Sequence, residues 1–198
     1  EKHVILVTST VGGEGKTFCA MNMASIIAMS NNRTLLVGLD MRKPRIHKHF
    51  EVNNNYGMSN LLIGKFSFSE AIHPTHIENL DVIPPGPAPP NPAELLESEN
   101  MSKFIATARE QYDYIILDTP PAALVTDALL VSQVADANVF VIRQGYSNKN
   151  VLKLVNELYE NKNIRNLSVL LNDVKVSTNY GVRYAYKHGY RHAYGFNY

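Results

Sequence analysis

The chain has 198 residues, 45% of them hydrophobic, and a formal net charge of +1 at pH 7. Its size allows one domain with a buried core, and the balanced charge indicates no particular partner. Nucleic-acid-binding proteins usually show a basic face or stripe, and since the first 170 residues show none we expect no nucleic-acid partner. The single cysteine, Cys19, excludes an intrachain disulfide, and no apolar run approaches the roughly 18 residues of a membrane span.

The first elements predict a strand, a glycine-rich turn, a helix and a second strand. The apolar run His3–Thr8 is typical of a buried strand, Lys16–Ser30 of a largely buried helix, and Thr34–Leu39 of another buried strand. Together they form a βαβ unit. Because the first strand begins almost at once, we expect this chain to be one part of a longer protein.

The same alternation continues along the chain. Six of the ten prolines lie in residues 84–92, which predicts an extended loop, and Asn91-Pro92 at its end is typical of a helix start. An α/β fold follows, with a mostly parallel sheet and helices on both faces. The remaining predicted strands are Leu80–Ile83, Tyr114–Leu117, Ala137–Ile142 and Leu167–Leu171, and the remaining helices are Ala93–Glu97, Asn100–Gln111 and Asn148–Lys162.

The turn after the first strand, TVGGEGKT at residues 10–17, follows the P-loop pattern G-x-x-x-x-G-K-[ST] except that Thr10 replaces the first glycine. Its glycines let successive backbone N–H groups surround an anion, and the following helix adds its positive dipole end. The alternative is a glycine-rich turn with a chance GKT. The pattern predicts ATP and Mg²⁺ as cofactors, bound by Gly12, Gly13, Glu14, Gly15, Lys16, Thr17 and Phe18.

Two carboxylates are candidates for holding the metal. Asp118 follows the apolar strand YIIL, as in a Walker B motif, and Asp40 follows TLLVGL. Either alone could be a surface turn residue. Since the carboxyl ends of parallel strands line the ligand crevice of such a sheet, we predict that Thr17, Asp40 and Asp118 are the metal ligands.

The segment from residue 180 to 198 differs in composition from the rest. It has no acidic residue, three Arg or Lys residues and little aliphatic content, which predicts a flexible tail. We therefore divide the chain into a P-loop domain, residues 1–178, and a tail, residues 179–198. The tail is either simply disordered or a cluster of phospho-acceptors, and six of the eleven tyrosines lie in it: Tyr180, Tyr184, Tyr186, Tyr190, Tyr194 and Tyr198.

These motifs together resemble the cytoplasmic kinase domain of the bacterial tyrosine kinases (BY-kinases) of exopolysaccharide and capsule export. The resemblance covers essentially the whole chain and is carried by VTSTVGGEGKT, LLVGLDMRKPRIH, LDVIPPGPAPPNPAELLES, DYIILDTPPAALVTDA and the tyrosine-rich tail. The related partitioning ATPases carry an extra lysine early in the loop, whereas residue 11 here is valine, which favours the kinases.

The resemblance implies a protein-tyrosine autokinase that transfers the γ-phosphate of ATP to the tail tyrosines of a neighbouring subunit. Lys16, Asp40 and Asp118 would be its catalytic residues, with Lys16 stabilising the migrating phosphoryl group, and Asn172 would contact adenine. The family's D-x-D motif reads Gly38-Leu39-Asp40 here, so we expect Asp40 to carry the roles of both acids.

The resemblance also implies partners and a location. We expect a homo-oligomer, such as a ring, that tail phosphorylation dissociates, together with a tyrosine phosphatase and a transmembrane activator or polysaccharide co-polymerase segment, fused or separate. The location would be the cytoplasmic face of the bacterial inner membrane. Two alternatives stay open: a partitioning-type ATPase switch, and a nucleotide-bound regulator without kinase activity.

Overall fold

The structure is a computed structural model and describes residues 2–121, 127–160 and 164–175. The tail and its six tyrosines lie outside the described residues, and the predicted boundary at residue 178 therefore stays a prediction.

A seven-stranded sheet forms the centre of the fold, in the spatial order β3-β4-β2-β5-β1-β6-β7. Every neighbouring pair is parallel except β3 and β4, which confirms the mostly parallel sheet. The carboxyl ends of β1, β2, β5, β6 and β7 therefore meet along one edge. The strands are β1 His3–Ser9, β2 Thr34–Gly38, β3 His73–Pro74, β4 Leu80–Ile83, β5 Tyr114–Asp118, β6 Ala137–Arg143 and β7 Leu167–Asn172.

The long predicted helices are present with small shifts at their ends. Helix α8 begins three residues later than predicted, because the Asn148 side chain accepts a hydrogen bond from the Asn150 N–H at 2.9 Å and forms a turn of its own. The helices are α1 Lys16–Met29, α2 Ile46–His49, α3 Met58–Leu62, α4 Phe68–Ala71, α5 Pro92–Glu97, α6 Glu99–Gln111, α7 Asp127–Ser132 and α8 Val151–Glu160.

Helices cover both faces of the sheet, as the buried strands predict. Along β2, Leu35 and Val37 belong to the apolar cluster that includes Phe104 of α6, whereas Leu36 belongs to the cluster that includes Ala20 and Ala24 of α1. Alternate residues of a strand face opposite sides, so β2 is buried on both. Within the described part of the chain, no helix combines the length and apolar character needed to cross a membrane.

Candidate nucleotide-binding site

The glycine-rich loop connects β1 to α1, as predicted, and two of its glycines are required by the backbone. Gly13 has φ 91° and Gly15 has φ 95°, both in the left-handed region. A Cβ on Gly13 would lie 2.8 Å from the Tyr146 hydroxyl, and one on Gly15 would collide with the Asn172 side-chain amide. Side chains from the loop after β6 and from the end of β7 thus pack directly against the glycines.

Three successive carbonyl groups of this loop accept hydrogen bonds from Tyr146, from Asn172 and from Arg143 at the end of β6. Gly12 O accepts from the Tyr146 hydroxyl at 2.9 Å, Gly13 O from Arg143 at 3.0 Å, and Glu14 O from the Asn172 amide at 3.0 Å. In a trans peptide unit the C=O and N–H groups point in opposite directions. The N–H groups of residues 13, 14 and 15 therefore point away from these three side chains. Successive N–H groups arranged in this way form a concave site for an anion.

The Glu14 side chain serves the loop itself. It is buried, accepts a hydrogen bond from the Val11 N–H at 2.8 Å, and accepts another from the Ser147 hydroxyl. The carboxylate thus connects two parts of the loop backbone and links the loop to the segment after β6. The predicted contact of Glu14 with the nucleotide would accordingly come from its backbone N–H.

Lys16 lies between the two carboxylates that the sequence singled out. Its ammonium group is 3.1 Å from Asp40 and 3.4 Å from Asp118, and the residue is only 8% exposed. The Thr17 hydroxyl donates a hydrogen bond to Asp118 at 2.8 Å. The first turn of α1 and the ends of β2 and β5 thus bring these four residues together, as the order of the strands requires.

Asp118 is the more deeply buried carboxylate, at 2% exposure. Burial raises the pKa of its carboxyl group, and the nearby charge of Asp40 acts in the same direction. The Lys16 ammonium and the Thr17 hydroxyl act against both. The buried carboxyl group is therefore one that a bound cation would stabilise in its charged form.

Asp40 is fixed from two sides. One carboxylate oxygen meets Lys16, and the other accepts the Lys43 backbone N–H at 3.0 Å. This turn after β2 holds the carboxylate against a cavity of about 480 Å³ that the glycine-rich loop also lines. Arg143 and Pro120 line the same cavity.

Gly38 at the end of β2 packs against the proline-rich loop. A Cβ at this position would lie 2.6 Å from Cδ and 2.7 Å from Cγ of Pro85. No side chain fits there without a shift of the Pro85 ring. The Pro85 ring thus occupies the space that the side chain of the first acid of the D-x-D pattern would need. Asp40 is the carboxylate that remains after β2.

The structure assigns positions to the other predicted residues and adds ones that the sequence did not indicate. Phe18 lines the cavity and is exposed, whereas Asn172 contacts Gly15 and the Glu14 carbonyl, so its contact with adenine stays a prediction. Arg143, Tyr146 and Ser147 were missed. They belong to no local motif, and only the pairing of β6 with β1 brings them to the loop.

The site residues fit a nucleotide with Mg²⁺. The described residues contain no group of three or more His, Cys, Asp or Glu side chains that could hold a metal alone. Two carboxylates and a hydroxyl beside an anion cradle suit Mg²⁺, which is usually held by one or two carboxylates together with substrate phosphates. Thr17, Asp40 and Asp118 are the residues that would hold it.

This chain is similar to known proteins both in sequence and in structure. A profile described as an AAA domain matches residues 2–169. The putative tyrosine-protein kinase CapB of Staphylococcus aureus is 36% identical over 182 residues, which cover 92% of this chain and 80% of that protein.

Two further relatives differ in how much of their own length this chain covers. The tyrosine-protein kinase wzc of Salmonella typhimurium is 36% identical over 88% of this chain, but this chain spans only 24% of its length. The solved kinase domain of the Escherichia coli tyrosine kinase ETK superposes with a TM-score of 0.85 at 29% identity, covering 100% of this chain and 73% of that one.

Proposed function

The chain belongs to the family of bacterial tyrosine-protein kinases, and on that premise we propose that it transfers the γ-phosphate of ATP to tyrosines of its own tail, in trans. The acceptors would be among Tyr180, Tyr184, Tyr186, Tyr190, Tyr194 and Tyr198. The observation that carries this proposal is the position of the Lys16 ammonium, between Asp40 and Asp118 at the start of α1.

The proposed step breaks the bond between the γ-phosphorus and the oxygen that bridges it to the β-phosphate. The phenolic oxygen of a tail tyrosine forms the new bond, its proton passes to Asp40, and ADP leaves. A free tyrosine has a pKa near 10, so a carboxylate that lines the cavity supports this role. Lys16 and the N–H groups of residues 13, 14 and 15 would neutralise the charge of the migrating phosphoryl group, since phosphoryl transfer depends mainly on positioning and electrostatic stabilisation.

Mg²⁺, when bound by Thr17, Asp40 and Asp118, would supply positive charge to the β- and γ-phosphate oxygens. The buried Asp118 would keep this site in place through its hydrogen bond from Thr17. With Gly38 in place of an acid, Asp40 would serve both the metal and the acceptor hydroxyl.

We further propose that this activity regulates the polymerisation and export of an exopolysaccharide or capsule at the cytoplasmic face of the membrane. The relative wzc, which is 36% identical, continues far beyond the matched region, and this supports a further segment outside the kinase domain. A membrane segment that is fused or separate, and a tyrosine phosphatase that resets the tail, would complete the system.

Mass spectrometry of the purified chain, before and after incubation with Mg²⁺ and ATP, tests the proposal. We expect phosphates on peptides from residues 180–198 in the wild type. We expect none in Lys16→Met or in Asp40→Asn. Asp40→Asn removes one charge with little change in shape. Loss of phosphorylation in this variant as well would show that a folding defect of Lys16→Met is not the cause.

ATP turnover with an unmodified tail would contradict the kinase and favour an ATPase switch. Phosphate that persists at wild-type levels in both variants would point to a contaminating kinase.

A further inference from the structure

A group of basic side chains lines the same cavity as Asp40. They come from the segment after β2 and from α2, and all four are exposed; we call them the basic rim: Arg42, Lys43, Arg45 and His49. Among the described residues that line this cavity, Asp40 is the only acid, and it is already paired with Lys16. Within the described part of the chain, neither Lys43 nor Arg45 forms an ion pair. The rim is therefore a cationic surface with capacity for an anion.

The strand order separates the rim from the side proposed for adenosine. β1, which leads into the phosphate loop, lies between β5 and β6. The rim follows β2 on one side of β1, whereas Arg143 and Asn172 are the last residues of β6 and β7 on the other side. A nucleotide with its base towards β7 would direct its γ-phosphate towards Asp40. The rim then lies where the acceptor approaches.

Before phosphorylation, the charge of the acceptor tail does not complement the charge of the basic rim. Residues 180–198 contain Arg183, Lys187 and Arg191 and no Asp or Glu. An unmodified tail and the rim thus carry charges of the same sign. One phosphotyrosine adds about −1.5 to −2 charges at neutral pH and oxygen atoms that an arginine can bind in pairs.

We propose that the basic rim is a phosphotyrosine-binding subsite for the tail of a second copy of this chain. A tyrosine that is already modified occupies the rim while another tyrosine of the same tail reaches Asp40, so the first phosphate makes that tail a better acceptor. Most neighbouring tail tyrosines are four residues apart, which in an extended chain spans at most about 14 Å. This inference rests on the proposed kinase function.

Peptide kinetics test the subsite. The enzyme is the chain with its six tail tyrosines changed to phenylalanine, so that an added peptide is the only tail acceptor. Two peptides with the sequence of residues 180–198 are compared, one unmodified and one phosphorylated at Tyr190. We expect the KM of the phosphopeptide to be lower by about fivefold, the scale of one or two exposed charge pairs.

Variants assign this difference to the rim. Lys43→Gln combined with Arg45→Gln is expected to bring the two KM values together. The matched control is Lys48→Gln, an exposed neighbour on α2 that does not line the cavity, and it is expected to keep the difference. A thermal unfolding curve for each variant verifies that the fold is retained.

Equal KM values in the parent enzyme would overturn the inference and leave the kinase intact. A difference that survives the double variant would also overturn it. If neither peptide is phosphorylated by the parent enzyme, the proposed function itself fails, and the inference fails with it.

Discussion

Lys16 illustrates how single residues depend on partners far away in sequence. Its ammonium contacts carboxylates 24 and 102 residues further along the chain, and all three groups are largely buried. Buried charges are tolerated only when they are paired and hydrogen-bonded. A P-loop lysine held in this way is already placed where phosphates would arrive.

Tyr146 gives a prediction at the same scale. Its hydroxyl holds the Gly12 carbonyl at 2.9 Å, and the residue is 52% exposed on its other side. We expect Tyr146→Phe to raise the dissociation constant of a non-hydrolysable ATP analogue by up to about tenfold, because one hydrogen bond is worth roughly 0.5–1.5 kcal/mol. Isothermal titration calorimetry measures this constant directly.

The control is Tyr159→Phe, an exposed tyrosine on α8 that does not line the cavity. It is expected to leave the dissociation constant unchanged. If Tyr146→Phe lowers the melting temperature but binds the analogue as tightly as the wild type, Tyr146 supports the fold and does not orient the loop.

At the scale of elements, the end of β2 is shaped by the loop packed against it. Gly38→Ala is expected to lower the free energy of unfolding by about 1–3 kcal/mol, because the added Cβ overlaps the Pro85 ring. Urea unfolding measures the change. Adding Pro85→Ala is expected to restore part of the loss, as a double-mutant cycle would reveal.

Gly12→Ala is the matched control, since a Cβ at Gly12 meets nothing within 4 Å and its φ is not positive. Its unfolding free energy should stay near that of the wild type. A Gly38→Ala variant as stable as this control would contradict the packing argument.

The strands were easier to predict from the sequence than the short helices. Each strand from β1 to β7 except β3 was predicted within one residue at both ends, because apolar runs between polar turns are a strong signal. Helices α2, α3, α4 and α7 and the two-residue strand β3 were missed. Four to six residues are too few for a helical period to be visible.

The site divides in the same way. Lys16, Thr17, Asp40 and Asp118 follow directly from a motif or from the end of an apolar strand, so their proximity was predictable. Tyr146 could not be anticipated, since its contact with Gly12 spans 134 residues and depends on the register of β6 against β1. Pro85 was predicted to lie in an extended loop, but its contact with Gly38 depends on the pairing of β2 with β4.

For the whole molecule, one edge of the sheet carries both the phosphate loop and the basic rim. The chain matches 80% of the length of CapB but 24% of the length of wzc, so similar domains occur in proteins of different length. Several phosphates added to a tail with three cations would change the sign of its charge, and the dissociation of a homo-oligomer by this change stays a prediction.

Transfer between two copies of the chain is the central claim, and a mixing experiment tests it most directly. A Lys16→Met chain with an intact tail is mixed with a chain whose phosphate loop is intact but whose six tail tyrosines are phenylalanine. After incubation with Mg²⁺ and ATP, mass spectrometry distinguishes the two chains. We predict phosphates on residues 180–198 of the Lys16→Met chain. An unmodified Lys16→Met chain, under conditions in which the wild type phosphorylates itself, would contradict transfer in trans.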